Sequence, residues 1–89
     1  LFDYDWDTEN ILHIAEHDLT PDDVEYVLDR PTVDFGYQDW HGEERFAEVG
    51  TMKNGRILMI FTTPRGYKTR VVTAYDAPAF VVKEYLKTR

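Results

Sequence analysis

At Pro31 the hydrophobic period of this chain changes, and that change limits its fold more than any other feature. Upstream, apolar residues recur at helical spacing: Ile11, Leu12, Ile14 and Ala15, then Val24, Val27 and Leu28. Downstream, Val33, Phe35 and Tyr37 alternate with Thr32, Asp34, Gly36 and Gln38, the period of a half-buried strand. Proline also disfavours helix in the residue before it, so Asp29-Arg30-Pro31 ends the second helix.

The helical part has its own punctuation. Phe2-Asp3-Tyr4-Asp5-Trp6-Asp7 alternates apolar and acidic residues, which predicts an edge strand with aromatics on one face and carboxylates on the other. Asp7 or Thr8 can cap a helix over about residues 8–17, and Asp18-Leu19 breaks it. Thr20-Pro21-Asp22-Asp23 starts a second helix: Thr as N-cap, Pro at the first helical position, acids in the first turn.

Beyond Pro31 the expected elements are strands. The loop Asp39-Trp40-His41-Gly42 leads into a strand over about residues 44–52, and Asn54-Gly55 is a strong hairpin signal. Arg56 to Thr63 is nearly all apolar, as in a central strand covered on both faces. Pro64-Arg65-Gly66 turns the chain into a last strand, Tyr67 to Asp76. A final helix, Pro78 to Thr88, follows, with Val81, Val82, Tyr85 and Leu86 inward and Lys83 and Lys87 outward. The expectation is an α+β fold: an N-terminal strand and two helices, a four-stranded antiparallel meander, and a C-terminal helix.

At 89 residues the chain is too short for two cores, so residues 1–89 read as a single domain. No cysteine is present, which excludes a thiol nucleophile and a disulfide framework and fits a cytoplasmic protein. The longest apolar run, Ile57 to Phe61, is far short of the ~20 residues of a membrane helix, so no membrane partner is expected. Charge is unevenly divided. Residues 1–44 hold fourteen acids and one cation, Arg30, and residues 45–89 hold nine cations and three acids. That division predicts either an internal charge match or two faces with different partners.

Several segments, in order, carry a resemblance. They are Trp6-Asp7, His13-Ile14-Ala15-Glu16-His17, Leu19-Thr20-Pro21-Asp22-Asp23-Val24, Gly42-Glu43-Glu44-Arg45-Phe46, Gly50, Gly55-Arg56-Ile57-Leu58, Phe61-Thr62, Arg70-Val71-Val72-Thr73-Ala74 and Tyr85. Together they resemble the BrnT family of small toxins, over nearly the whole chain. The resemblance implies a RelE/ParE-like fold and the toxin of a type II toxin–antitoxin pair, a metal-independent endoribonuclease that arrests translation. It implies RNA as substrate and a BrnA-like antitoxin as partner.

Such a ribonuclease needs a base for the 2′-hydroxyl, cations for the phosphorane charge and an acid for the leaving oxygen. On the matching positions, the resemblance points to Arg70 as catalytic cation, Arg45 as a second phosphate clamp and His17 as base or acid. A guanidinium fork can hold two phosphate oxygens at once. Tyr75 can donate a hydrogen bond to phosphate but carries no charge. His41, in a loop, and Lys68, on Arg70's face by strand parity, are candidates for substrate binding. The same parity puts Tyr75 on the opposite face unless a bulge intervenes. His13 and His17 lie four apart, yet no third ligand has motif spacing, so no metal and no cofactor is expected.

Several positions depart from the family pattern: Asp18 follows His17 where the toxins usually carry Gly, and the last helix has only Lys83, Lys87 and Arg89 where theirs is rich in Arg. Tyr75-Asp76 stands where the toxins usually carry Arg and a further charged residue, and Val81 stands where they usually carry Glu. The expectation is therefore a weakened active site. The alternative is a non-catalytic protein-interaction module on the same fold, with the acidic half as its docking surface.

Overall fold

A computed structural model describes residues 3–88, apart from the side chain of Trp40. The elements are β1 (Tyr4–Asp5), α1 (Thr8–Ala15), α2 (Pro21–Leu28), β2 (Val33–Trp40), β3 (Glu43–Thr51), β4 (Ile57–Arg65), β5 (Lys68–Asp76) and α3 (Ala79–Thr88). They make an α+β fold with one five-stranded sheet, ordered β1-β5-β4-β3-β2. From β2 to β5 each strand pairs antiparallel with the next, and β1 joins the edge parallel to β5. The N-terminal strand thus extends the meander's own sheet, through only two paired residues; Phe2 lies outside the described residues.

The helix starts follow their capping residues. The Asp7 carboxylate accepts from the Asn10 backbone N–H at 2.9 Å, and Thr20 and Asp23 form a reciprocal capping box. The first helix ends at Ala15, two residues before the expected bound, and Asp18, at the expected break, takes a left-handed conformation (φ 59°). Its buried edge also differs from the expected stripe. Asn10 and Ile14, four apart, face inward, whereas Ile11, Leu12 and Ala15 are exposed. A helix of two turns packed against β5 by one edge has room to bury only that pair. α2 buries Val24, Val27 and Leu28 as expected.

One core lies between the sheet and α1–α2, built from Ile14, Leu19, Val24, Val27, Leu28, Leu58, Ile60, Val71 and Ala74. Tyr4 and Trp6 pack against it, and their polar tips find acids of α2 and its cap. Tyr4 Oη donates to Asp29 at 2.6 Å and Trp6 Nε1 to Glu25 at 2.8 Å. Burial, then the Asp29 bond, pushes the Tyr4 hydroxyl well above its ordinary value. The expected three-aromatic face is therefore present in its two described members.

A second, smaller core lies on the other face, where Val81 and Tyr85 of α3 meet Val49, with Ile57 and Met59 partly covered. Tyr85 Oη lies 2.7 Å from Thr51 Oγ1. Val82 is only half-buried and Leu86 is exposed, so the inward stripe of α3 is narrower than its sequence suggests. β4 is sealed on the α2 face and only half-covered on the other, since a three-turn helix cannot span a five-stranded sheet.

The strand partners of β5 contain one irregularity that matters for function. Phe61 pairs with Thr73 and Thr62 pairs with Val71, so Val72 is an extra residue, a β-bulge. Val71 and Ala74, three apart, both enter the first core. Arg70, Thr73 and Tyr75 consequently share the opposite face. Unbroken alternation would have put Arg70 and Tyr75 on opposite sides.

Candidate functional site

The end of the sheet that α3 leaves open carries a cleft of about 650 Å³. α1 supplies one wall through Glu9, Asn10, Leu12, His13 and Glu16. The floor comes from three strands: Glu43 and Arg45 of β3, Arg65 of β4, and Arg70, Val72 and Thr73 of β5. Register explains the convergence. Antiparallel pairing brings the start of β3 beside the end of β4, and Arg70 lies across from Thr63. Odd-numbered residues of both strands point to this face, as Val49 opposite Met59 requires.

Three guanidinium groups therefore line one cleft, and each meets a carboxylate of the chain. Arg70 Nη2 donates to Asp7 Oδ2 at 2.8 Å, and its Nη1 lies 3.8 Å from Asp5 Oδ2. Arg45 Nε donates to Glu43 Oε1 at 3.0 Å, and Arg65 Nη2 lies 3.6 Å from Glu43 Oε2. Asp7 is held below the usual carboxylate range first by the Asn10 N–H, then by Arg70. The charge division between chain halves thus includes an internal match, since β1 and the α1 cap hold Arg70. Glu9 and Glu16 also face the arginines, so the acids of α1 do not form a surface apart from them.

The expected site residues separate into two groups. Arg70 and Arg45 come together in the cleft. Tyr75 shares their face but stands further along β5, its ring 5.9 Å from His17 and 6.1 Å from Phe61. His17 lies beyond the end of α1 and outside the cleft lining, with its carbonyl accepting from Arg56 at 3.0 Å. The same guanidinium donates to the Asp18 carbonyl and to Asp76, so Arg56 ties the end of α1 to the sheet. Lys68 and His41 occupy two hairpin tips at the open end of the sheet, again outside the lining. Val81 is buried in the second core.

Arg65, His13 and Glu43 join the cleft without having been singled out as site residues. Arg65 reads in sequence as the middle of a Pro-Arg-Gly turn, yet it is the last residue of β4, in step with Phe61 and Thr63. His13 lies on the last turn of α1 beside β5, whereas His17 falls in the turn after the helix. Among the described residues no group of three or more His, Asp or Glu side chains could hold a metal ion. No described helix is long and apolar enough to cross a membrane.

The chain has no match among the curated proteins. The family described as "Ribonuclease toxin, BrnT, of type II toxin-antitoxin system" matches residues 6–79, from the Trp6 that packs on the first core to the first residue of α3. That span takes in the whole arginine cleft, and the chain belongs to the BrnT ribonuclease toxins of type II toxin–antitoxin systems, a membership that implies an antitoxin partner.

Proposed function

We propose that this toxin is a slow endoribonuclease whose RNA backbone lies in the arginine cleft. The observation that carries the reading is the convergence of Arg45, Arg65 and Arg70 beside an imidazole, His13, in one open cleft. Arg70, the least exposed guanidinium of the three, holds the scissile phosphate and stabilises the charge that grows on it. His13 takes the 2′-hydroxyl proton, replacing His17 in that role, since an imidazole can exchange protons near neutral pH. The 2′-oxygen attacks phosphorus, the bond to the 5′-oxygen breaks, and that oxygen leaves with a proton from water. A cyclic phosphate and a 5′-hydroxyl result.

Two features make the reaction slow. Tyr75 stands where a cation would sit and contributes a hydroxyl alone, and Val81 lies in the α3 core where a carboxylate is usual. The fold is RelE/ParE-like in this reading, the partner is a BrnA-like antitoxin, and the setting is the cytoplasm. A non-catalytic interaction module is the second reading, favoured by the carboxylate partners that each cleft arginine already has.

Cleavage of single-stranded RNA by the purified protein is the test. Arg70→Ala should lower the rate about 10²–10³-fold. His13→Gln should lower it about 10²–10⁴-fold with little change in RNA affinity, whereas His17→Gln should leave it nearly unchanged. Tyr75→Arg should raise it. Vigorous cleavage that survives Arg70→Ala would place the site elsewhere. If wild type and Tyr75→Arg both fold and capture an antitoxin yet neither cleaves, the interaction module is the better reading.

A further inference from the structure

Glu43 has a place in the cleft that the ribonuclease reading does not use. Its two carboxylate oxygens are divided between two guanidinium groups, one toward Arg45 Nε at 3.0 Å and one toward Arg65 Nη2 at 3.6 Å. A phosphodiester also presents two anionic oxygens to such forks. We propose that Arg45 and Arg65 form a second phosphodiester seat on the RNA path, and that Glu43 occupies it as a built-in anion in the free protein. The proposal rests on the RNA reading of the cleft and adds a seat and a competitor to it.

A carboxylate outside the cleft lining, on Arg70, sets the contrast. Asp7 also grips an arginine, but it is the N-cap of α1 and accepts from the Asn10 backbone, so moving it would open a helix end. Glu43 caps nothing. Among the described residues its side chain bonds only to the two arginines. It is the first residue of β3, directly after the tight turn His41-Gly42, both with positive φ. Side-chain rotation alone is enough to carry its carboxylate into solvent.

The energetics favour exchange. The side chains are 26% (Arg45), 33% (Glu43) and 50% (Arg65) exposed, so water screens their attraction. An incoming phosphate carries a comparable charge and is tethered through its strand to a second contact at Arg70, which raises its effective concentration at the seat. RNA therefore displaces Glu43, whereas a small free anion competes poorly. The same arrangement keeps two cations from attracting stray polyanions.

The probe is a single-stranded RNA oligonucleotide with 2′-O-methyl sugars, which binds but cannot be cleaved. Glu43→Gln should bind it about threefold to tenfold tighter than wild type, the scale of a half-exposed competing charge. Its affinity should also fall more steeply with salt, because no displaced Glu43 carboxylate then gathers cations to offset the counterions that the RNA releases. Glu44→Gln, which removes the same charge at an exposed position on the opposite face of β3, should have a smaller effect. Adding Arg65→Gln to Glu43→Gln should abolish the gain. A gain that survives Arg65→Gln, or one matched by Glu44→Gln, would overturn the seat. So would Glu43→Gln that leaves affinity unchanged while wild-type binding still needs Arg70, a result that spares the RNA reading. Unchanged affinity with lost cleavage of unmodified RNA would make Glu43 a proton carrier instead. If neither protein binds the oligonucleotide, the seat and the RNA reading fall together. A circular dichroism melt of each variant shows that it is folded.

Discussion

On one face of the sheet Leu58, Ile60, Val71 and Ala74 are sealed beneath the first two helices. On the other face the same strands present Phe61, Arg65, Arg70 and Thr73, and the core of α3 takes in Val49, Ile57 and Met59 but none of these four. Alternation along a strand thus assigns one residue to the core and the next to the cleft. The bulge at Val72 keeps that division in β5, where it returns Thr73 and Tyr75 to Arg70's side. The consequence is that stability and RNA contact should be separable by mutation, residue by residue, along single strands.

The sharpest way to break this separation is to cut into the sealed face. Ile60→Ala removes a fully buried side chain at the centre of the sheet, and should cost about 2–5 kcal/mol by denaturant titration. Cleavage per folded molecule should stay near wild type, because Ile60 points away from the cleft. If rate and stability fell together at a temperature where the variant is fully folded, the two faces would be coupled through the strand.

Most of the sealed face was legible in the sequence. The caps at Asp7 and Thr20, the Asn54-Gly55 turn and the apolar run of β4 act through local chemistry, and each formed where it was expected. The cleft was less legible, because it depends on events that leave no compositional mark. A one-residue bulge inside Val71-Val72-Thr73, three β-branched residues in a row, reads the same as a regular strand. Arg65 looked like a turn residue because Pro64 and Gly66 flank it, and only strand parity puts it beside Arg45. In sequence His13 and His17 have the four-residue spacing of one helix side, but His17 falls beyond the end of α1. Which of them meets the cleft is decided by where the helix ends.

A substitution that adds volume tests the same face from the other direction. A Cβ at Gly50 would lie 2.5 Å from Val27 Cγ1 and 3.2 Å from Thr32 Cγ2. Gly50→Ala should therefore push α2 away from β3 and cost about 1–3 kcal/mol. Trimming Val27 as well, in Gly50→Ala with Val27→Ala, should show strong non-additivity, since the two side chains compete for one space. Additive losses would mean that the close approach of α2 to β3 is relaxed in solution.

The α3 face should respond more weakly. Tyr85→Phe removes the hydroxyl beside Thr51 and should cost about 0.5–1.5 kcal/mol, with the ring's packing kept. The cleft should be unaffected, since α3 covers the other end of that face. A thermal melt and the cleavage rate, measured on the same sample, check both statements.

The smallest effect lies at the seam between the faces, where Asp7 caps α1 and holds Arg70. Its carboxyl sits below the usual range, first through the Asn10 N–H and then through Arg70. A carboxylate depressed in the folded state favours folding at pH values above its unfolded value, near 3.8. That contribution fades as pH falls through the lower folded value. The loss should therefore appear only in the acid limb, below about pH 4. Asn also caps helices well, so Asp7→Asn should leave stability at neutral pH nearly intact while flattening the acid limb. The same change frees Arg70 from a bond of 2.8 Å, so RNA affinity should rise slightly. Asp5, at 3.8 Å, remains to hold the guanidinium in part, which keeps this gain below that of Glu43→Gln. Equal gains from the two variants would mean that Arg70 is as freely exchanged as Arg45 and Arg65, and the contrast between a fixed and a displaceable carboxylate would fail.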